Sequence, residues 1–147
     1  MTATGHAIIG TVIAAKIGNP TLAIPLAMAS HLVADMIPHW DVATNRRQKG
    51  KDRVFKEAIV DELLGFVLGY LLIQFLFPQT NLIYAFIIII FAQIFDWLFA
   101  PYYFFGVQAF KWAYDFGKKT NKELDKPWGI INQIALIAAL VVLAKVF

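Results

Sequence analysis

The apolar segment 82–105 constrains the fold more than any other part of the chain, because Asp96 is its only charged residue. About 20 predominantly apolar residues are enough for an α-helix to cross the hydrocarbon core of a bilayer. Over the whole chain 59% of the residues are hydrophobic and 16% are charged, whereas about 25% are charged in an average soluble domain. The sequence therefore predicts an integral membrane protein.

Five apolar segments predict an all-α fold, a polytopic membrane bundle of about five helices. The predicted spans of this single membrane domain, residues 1–147, cover residues 5–17, 21–37, 58–77, 82–105 and 128–146. The first two are short for a span and are separated by the helix breakers Gly18 and Pro20. We therefore expect them to form a tight hairpin.

The distribution of Lys and Arg predicts the orientation of the chain. The two polar loops, 42–56 and 106–127, are both rich in basic residues. Cytoplasmic loops of membrane proteins carry an excess of Lys and Arg. Both loops should therefore face the cytoplasm, and the N-terminus should lie on the same side.

Under this topology every histidine and every intramembrane carboxylate falls in the cytoplasmic half of the bilayer, at about 1.5 Å of depth per helical residue. The residues concerned are His6, His31, Asp35, His39, Asp41, Asp61 and Asp96. Pro38 should end the second helix near residue 37 and place His39 in a loop over the others. Glu62 points about 100° away from Asp61, so only one of the two is expected to face the cluster.

The spacing of these residues indicates a metal site. His31 and Asp35 are four residues apart and so share one face of a helix. An ionisable side chain in the membrane costs about 2.5–3.5 kcal/mol on insertion scales, and no Lys or Arg lies near this set within the predicted spans. A divalent cation would supply the missing charge. The alternative is a polar clasp between His31 and Asp35 that packs helices without metal.

The composition narrows the choice of metal. The chain has no cysteine, so a metal must be bound by His, Asp or Glu. Such ligands suit zinc, manganese or iron, and zinc is the expected cofactor.

Two short motifs resemble those of the membrane-bound metal-dependent hydrolases. Thr-Gly-His at 4–6 opens an apolar helix, and His-Leu-Val-Ala-Asp-Met-Ile-Pro-His-Trp-Asp follows at 31–41. This bacterial group includes the LexA-binding inner-membrane hydrolases and looks distantly similar to the zinc-dependent phospholipases C. The resemblance implies a bacterial inner-membrane location. It also implies the metal ligands His6, His31, Asp35, His39 and Asp41.

Three functions are compatible with this set of residues. The first is a metal-dependent hydrolase that acts at the cytoplasmic interface on a phospholipid or other amphiphilic phosphoester, with Asp61 or Asp96 as a further ligand or as the catalytic general base. The second is a transporter or channel for divalent cations or protons. The third is a non-catalytic scaffold with a structural metal or polar cluster. The expected partners are membrane lipid and a divalent metal ion, and no nucleic acid.

Overall fold

The computed structural model describes all residues, 1–147, and it is helical throughout, as predicted. It has seven α-helices, because short helices form within the two predicted loops in addition to the five longer ones. The helices are α1 (Ala3–Lys16), α2 (Pro20–Asp35), α3 (Arg46–Lys49), α4 (Lys51–Leu76), α5 (Leu82–Phe105), α6 (Lys111–Thr120) and α7 (Trp128–Val146).

Helix α4 begins seven residues before the predicted span, and this corrects the predicted limits of loop 42–56. Its first two turns, residues 51–57, carry five charged residues, a composition typical of a loop. These residues instead form the first turns of α4, and Arg53 and Glu57 form an ion pair of 2.7 Å at i,i+4 spacing. Such pairs stabilise helices at their solvated ends. Helix α2 ends at Asp35, two residues earlier than expected and three residues before Pro38.

Helix α1 lies at the centre of the bundle and packs against α2, α4, α5 and α7. Small residues allow the close approach. A Cβ atom added at Gly65 of α4 would lie 3.0 Å from the Cβ of Ala7 and 3.2 Å from the Cα of Thr4. On the other side of α1, a Cβ atom at Gly10 would lie 2.9 Å from the Cβ of Ala92 in α5. The backbones of α4 and α5 therefore approach α1 closely on two sides, because glycine leaves no side chain between them.

Three helices, α4, α5 and α7, are long and apolar enough to cross a membrane. Their outer faces expose large apolar side chains, such as Phe75 at 78% and Ile83 at 74%. Helices α1 and α2 have 14 and 16 residues and are shorter than the roughly 20 that a full span needs. The structure thus encloses α1 among longer apolar helices, whereas α2 packs against α1 and α5 and exposes Leu22 and Val33 on its outer face.

The two basic loops pack against each other at one end of the bundle. The backbone of His39 donates to the carbonyl of Lys122 at 3.1 Å and accepts from the amide of Leu124 at 2.6 Å. Arg46 forms an ion pair of 2.5 Å with Glu123. The segment that contains His39 is therefore fixed by the chain that connects α6 to α7.

Candidate metal centre

Asp35, the last residue of α2, lies between three imidazole rings. Its Oδ1 atom is 3.2 Å from Nε2 of His6 and 3.8 Å from Nε2 of His39. Its Oδ2 atom is 3.4 Å from Nε2 of His31. All four side chains are buried. The structure thus brings together residues from α1, from α2 and from the loop that follows it.

His31 is held in one orientation by the backbone of α5. Its Nδ1 atom donates a hydrogen bond to the carbonyl oxygen of Ala92 at 2.8 Å. Because a carbonyl only accepts, the neutral ring carries its proton on Nδ1 and directs the Nε2 lone pair towards Asp35 and Asp96. The distance from Nε2 to Oδ1 of Asp96 is 3.8 Å. Metal-binding histidines are commonly oriented by such a hydrogen bond from the second nitrogen.

His39 has the same arrangement. Its Nδ1 atom donates to the carbonyl oxygen of Ile37 at 2.7 Å, so the Nε2 lone pair faces inwards. Nε2 has no hydrogen-bond partner although the residue is fully buried. It lies 3.7 Å from Oδ2 of Asp41 and 3.8 Å from Oδ1 of Asp35. The Nε2 lone pair of His39 therefore faces two carboxylate oxygens and no donor.

His6 completes the cluster from α1. Its ring stacks on that of His31, and its Nδ1 atom is buried without a partner. The ligand atoms of His6, His31 and Asp96 all lie within 4.8 Å of one another, so this trio could hold a metal ion. Two of its members, His6 and His31, were predicted as metal ligands, and Asp96 was predicted as a catalytic residue.

Asp41 lies in the loop after α2, where its carboxylate is well supported. It accepts hydrogen bonds from the amide of Thr44 at 2.7 Å and from Nδ2 of Asn121 at 3.1 Å. Burial alone would raise the pKa of Asp41, but the His39 ring, the Met1 amino group and the Asn121 amide together lower this pKa to about 2. The side chain is therefore ionised at neutral pH.

The predicted catalytic residue Asp61 has other contacts. Its carboxylate accepts from the amides of Ala3 and Thr4 at 2.7 and 3.2 Å and from the Thr4 hydroxyl at 2.6 Å. It therefore caps the N-terminus of α1. The neighbouring Glu62 accepts from the indole of Trp97 at 3.0 Å. The two carboxylates point to different partners, as their adjacency requires, and a catalytic role for Asp61 stays a prediction.

The cluster has an excess of negative charge. Its formal charge is −3 from Asp35, Asp41 and Asp96, and one cation, the amino group of Met1 in contact with Oδ1 of Asp35, reduces this to −2. No Lys or Arg side chain pairs with it. With neutral imidazoles the remaining charge is −2, which favours the binding of divalent cations. The unpartnered nitrogens of His6 and His39 and the chemistry of the donors both fit a metal such as zinc.

A cavity of about 540 Å³ opens beside the cluster. His31, Asp35, Asp41 and Asp96 line it at one side, and the rest of its wall is mostly apolar side chains of α4, α5 and α6. Ligand pockets in proteins typically enclose about 300–1,000 Å³. The side chain of Asp96 is 44% exposed, which makes it the most accessible carboxylate of the cluster.

Sequence reasoning missed several groups that shape this site. They are the carbonyl oxygens of Ile37 and Ala92, the side chain of Asn121 and the amino group of Met1. Asn121 follows α6 in a basic loop that carries no local sign of a site. Pro38, which the sequence placed between α2 and His39, was the only hint that the loop turns back over the cluster.

Fold and site together define a class: an all-helical chain with three helices long and apolar enough to cross a membrane and a group of two buried histidines and one partly exposed aspartate that could hold a metal ion. Comparison with protein-family models, with curated proteins and with solved structures gave no match.

Proposed function

We propose that this protein is a metal-dependent hydrolase of the bacterial inner membrane that acts at the cytoplasmic interface on a phospholipid or other amphiphilic phosphoester. The observation that supports it is the position of the His–Asp cluster in the wall of a mostly apolar cavity. A substrate with a phosphoester head and an apolar tail matches the two parts of this lining. The neighbouring basic loops would attract anionic headgroups.

The residues of the cluster would have two roles, metal binding and proton acceptance. A divalent metal held by the imidazoles and Asp35 would supply the Lewis acidity that activates water for attack on phosphorus. Asp96 directs Oδ1 towards His31, and no hydrogen bond occupies its second oxygen, which can accept the proton of the attacking water. The P–O ester bond breaks, and the leaving oxygen takes up a proton.

The interior beyond the cluster favours hydrolysis over transport. Towards the other end of the bundle the buried side chains are apolar, for example Ile73, Ala85 and Ile88. The one buried hydroxyl of α1, that of Thr11, donates to the carbonyl of Ala7 in its own helix at 2.9 Å. A transport path requires a series of polar ligands across the bundle, and the apolar interior provides none beyond the cluster.

The experiment is a turnover assay on detergent-purified protein with a C-terminal tag, since Phe147 is 88% exposed. Mixed micelles of phosphatidylglycerol or phosphatidylethanolamine are incubated with zinc, manganese or iron, and products are identified by mass spectrometry. Asp96→Asn should lower the rate by about 100-fold or more, whereas Asp115→Asn, on the exposed face of α6, should not change it.

Two results would contradict the proposal. Metal flux into proteoliposomes without hydrolysis of either lipid would indicate a transporter. Bound metal with neither hydrolysis nor flux would indicate a scaffold in which the metal only joins helices.

A further inference from the structure

We infer that the cluster holds two divalent cations, with the carboxylate of Asp35 as the bridge between them. The inference rests on the proposed metal-dependent function and goes beyond it, because it divides the ligands into two sets. The first position is formed by His6, His31 and Asp96. The second is formed by His39 and Asp41.

The two sets of ligand atoms are separate in space. The trio of the first position has its ligand atoms within 4.8 Å of one another, and this group does not extend to His39 or Asp41. One ion bound by the trio would therefore leave His39 and Asp41 without a metal ligand role. Asp41 would retain its hydrogen bonds, but Nε2 of His39 would remain buried and unpaired. An unpaired buried polar atom costs about 1–3 kcal/mol.

The distances around His39 are close to those expected between ligands of one metal ion. Nε2 of His39 lies 3.7 Å from Oδ2 of Asp41 and 3.8 Å from Oδ1 of Asp35. Zinc binds such atoms at about 2.0–2.2 Å, which places two tetrahedral ligands roughly 3.4 Å apart. The observed separations are close to this value and too long for hydrogen bonds. A cation beside these atoms would give Nε2 of His39 the partner it lacks and would add a ligand contact to the two carboxylate oxygens.

Asp35 is suited to join the two positions. Its Oδ2 atom faces His31 at 3.4 Å, whereas its Oδ1 atom faces His39 at 3.8 Å. The carboxylate therefore directs Oδ2 to the first set and reaches both sets with Oδ1. His6, 3.2 Å from Oδ1, lies between them. The amino group of Met1 contacts the same oxygen, so a metal at the second position would share or replace that contact.

Hydrogen bonds outside the cluster support the second position as they support the first. The Ile37 carbonyl fixes His39 at 2.7 Å, and Asn121 donates to Asp41 at 3.1 Å. The equivalent support at the first position is the Ala92 carbonyl on His31. Paired divalent ions suit phosphoester hydrolysis, because together they can stabilise the attacking and the leaving oxygens.

The test measures metal per chain after dialysis against zinc or manganese, using elemental analysis. We expect about two ions per chain in the unchanged protein and in Asp115→Asn, and about one in His39→Ala, Asp41→Asn and His31→Ala. With manganese, the electron paramagnetic resonance spectrum should show exchange coupling in the unchanged protein and an isolated ion in Asp41→Asn. Size-exclusion profiles establish that each variant is folded, and Asp41→Asn replaces His39→Ala if the latter aggregates.

Three outcomes separate the inference from the proposed function. One ion per chain, retained by His39→Ala and Asp41→Asn, would overturn the second position and leave a metal-dependent hydrolase. One ion lost in every cluster variant would indicate a single shared position and would also overturn the inference. No bound metal under any condition would overturn both the inference and the proposed function.

Discussion

The imidazole ring of His6 stacks on that of His31, with 3.8 Å between ring centroids and 12° between ring planes. Two protonated rings at this distance would repel each other. The stack therefore favours at least one neutral ring, whose free nitrogen can bind a metal. It also joins α1 to α2 in the interior, so the same pair of residues serves packing and ligation.

Replacing His6 by phenylalanine should separate these two roles. Phe keeps an aromatic ring against His31 but provides no nitrogen. We expect His6→Phe to lose the metal held with His31 and Asp96. Its free energy of unfolding should differ by no more than about 1.5 kcal/mol from that of the metal-free unchanged protein. Elemental analysis and thermal unfolding in detergent measure the two effects. Full metal content in this variant would show that His6 only packs.

Removing metal should destabilise the unchanged protein. Chelation leaves the carboxylates of Asp35, Asp41 and Asp96 with the Met1 amino group as their only cationic partner. Zinc at about 100 times its dissociation constant should stabilise the fold by about 2.7 kcal/mol. Thermal unfolding with and without EDTA checks this. Equal transition temperatures, together with bound zinc before chelation, would contradict the expected coupling between metal binding and stability.

Asp61→Ala should reduce stability without removing metal. The substitution leaves the amides of Ala3 and Thr4 at the start of α1 without their acceptor, at a cost of about 1–3 kcal/mol. Asp52→Ala, at the exposed start of α4, is the control and should change stability by less than about 1 kcal/mol. The measurements are thermal unfolding, metal content and turnover. Unchanged stability with abolished turnover would instead support the predicted catalytic role of Asp61.

Gly129→Ala should disturb the support of His39. A Cβ atom at Gly129 would lie 2.0 Å from the carbonyl oxygen of Leu124 and 2.6 Å from the amide nitrogen of Trp40. Both neighbours are backbone atoms, which cannot rotate away. We therefore expect the free energy of unfolding to fall by about 1–3 kcal/mol or more and the metal content to decrease. Gly18→Ala is the matched control, because nothing lies within 4 Å of its Cβ position. Normal metal content in Gly129→Ala would show that this contact does not position His39.

The long helices could be predicted where the sequence marks both ends. The predicted span 82–105 coincides with α5, whose ends are set by the side-chain cap of Asn81 and the left-handed Gly106. The start of α4 differs from the prediction, because the polar segment before residue 58 is helical and continues into the apolar part of the same helix. Hydropathy locates the membrane-embedded part of a helix and not its full length.

The site was predictable only as far as local geometry extends. His31 and Asp35 share a face at i,i+4 spacing, and their side chains meet at 3.4 Å. Depth along the helices also placed Asp61 near the cluster. Depth does not determine which group a carboxylate contacts, and the Asp61 carboxylate accepts from the first amides of α1. Asn121 reaches Asp41 across 80 positions of sequence, which no local pattern indicates.

The backbone pairing of His39 with Lys122 and Leu124 has a consequence for biosynthesis. Leu124 follows His39 by 85 positions, so the first third of the chain leaves the ribosome before its partner segment exists. At about 5–20 residues per second this interval is on the order of 4–17 s. During that time the earliest histidines and aspartates are already made, while the segment that holds His39 in place is still to be translated. Completion of the centre is therefore a late event in synthesis, after α5 and α6 have been made.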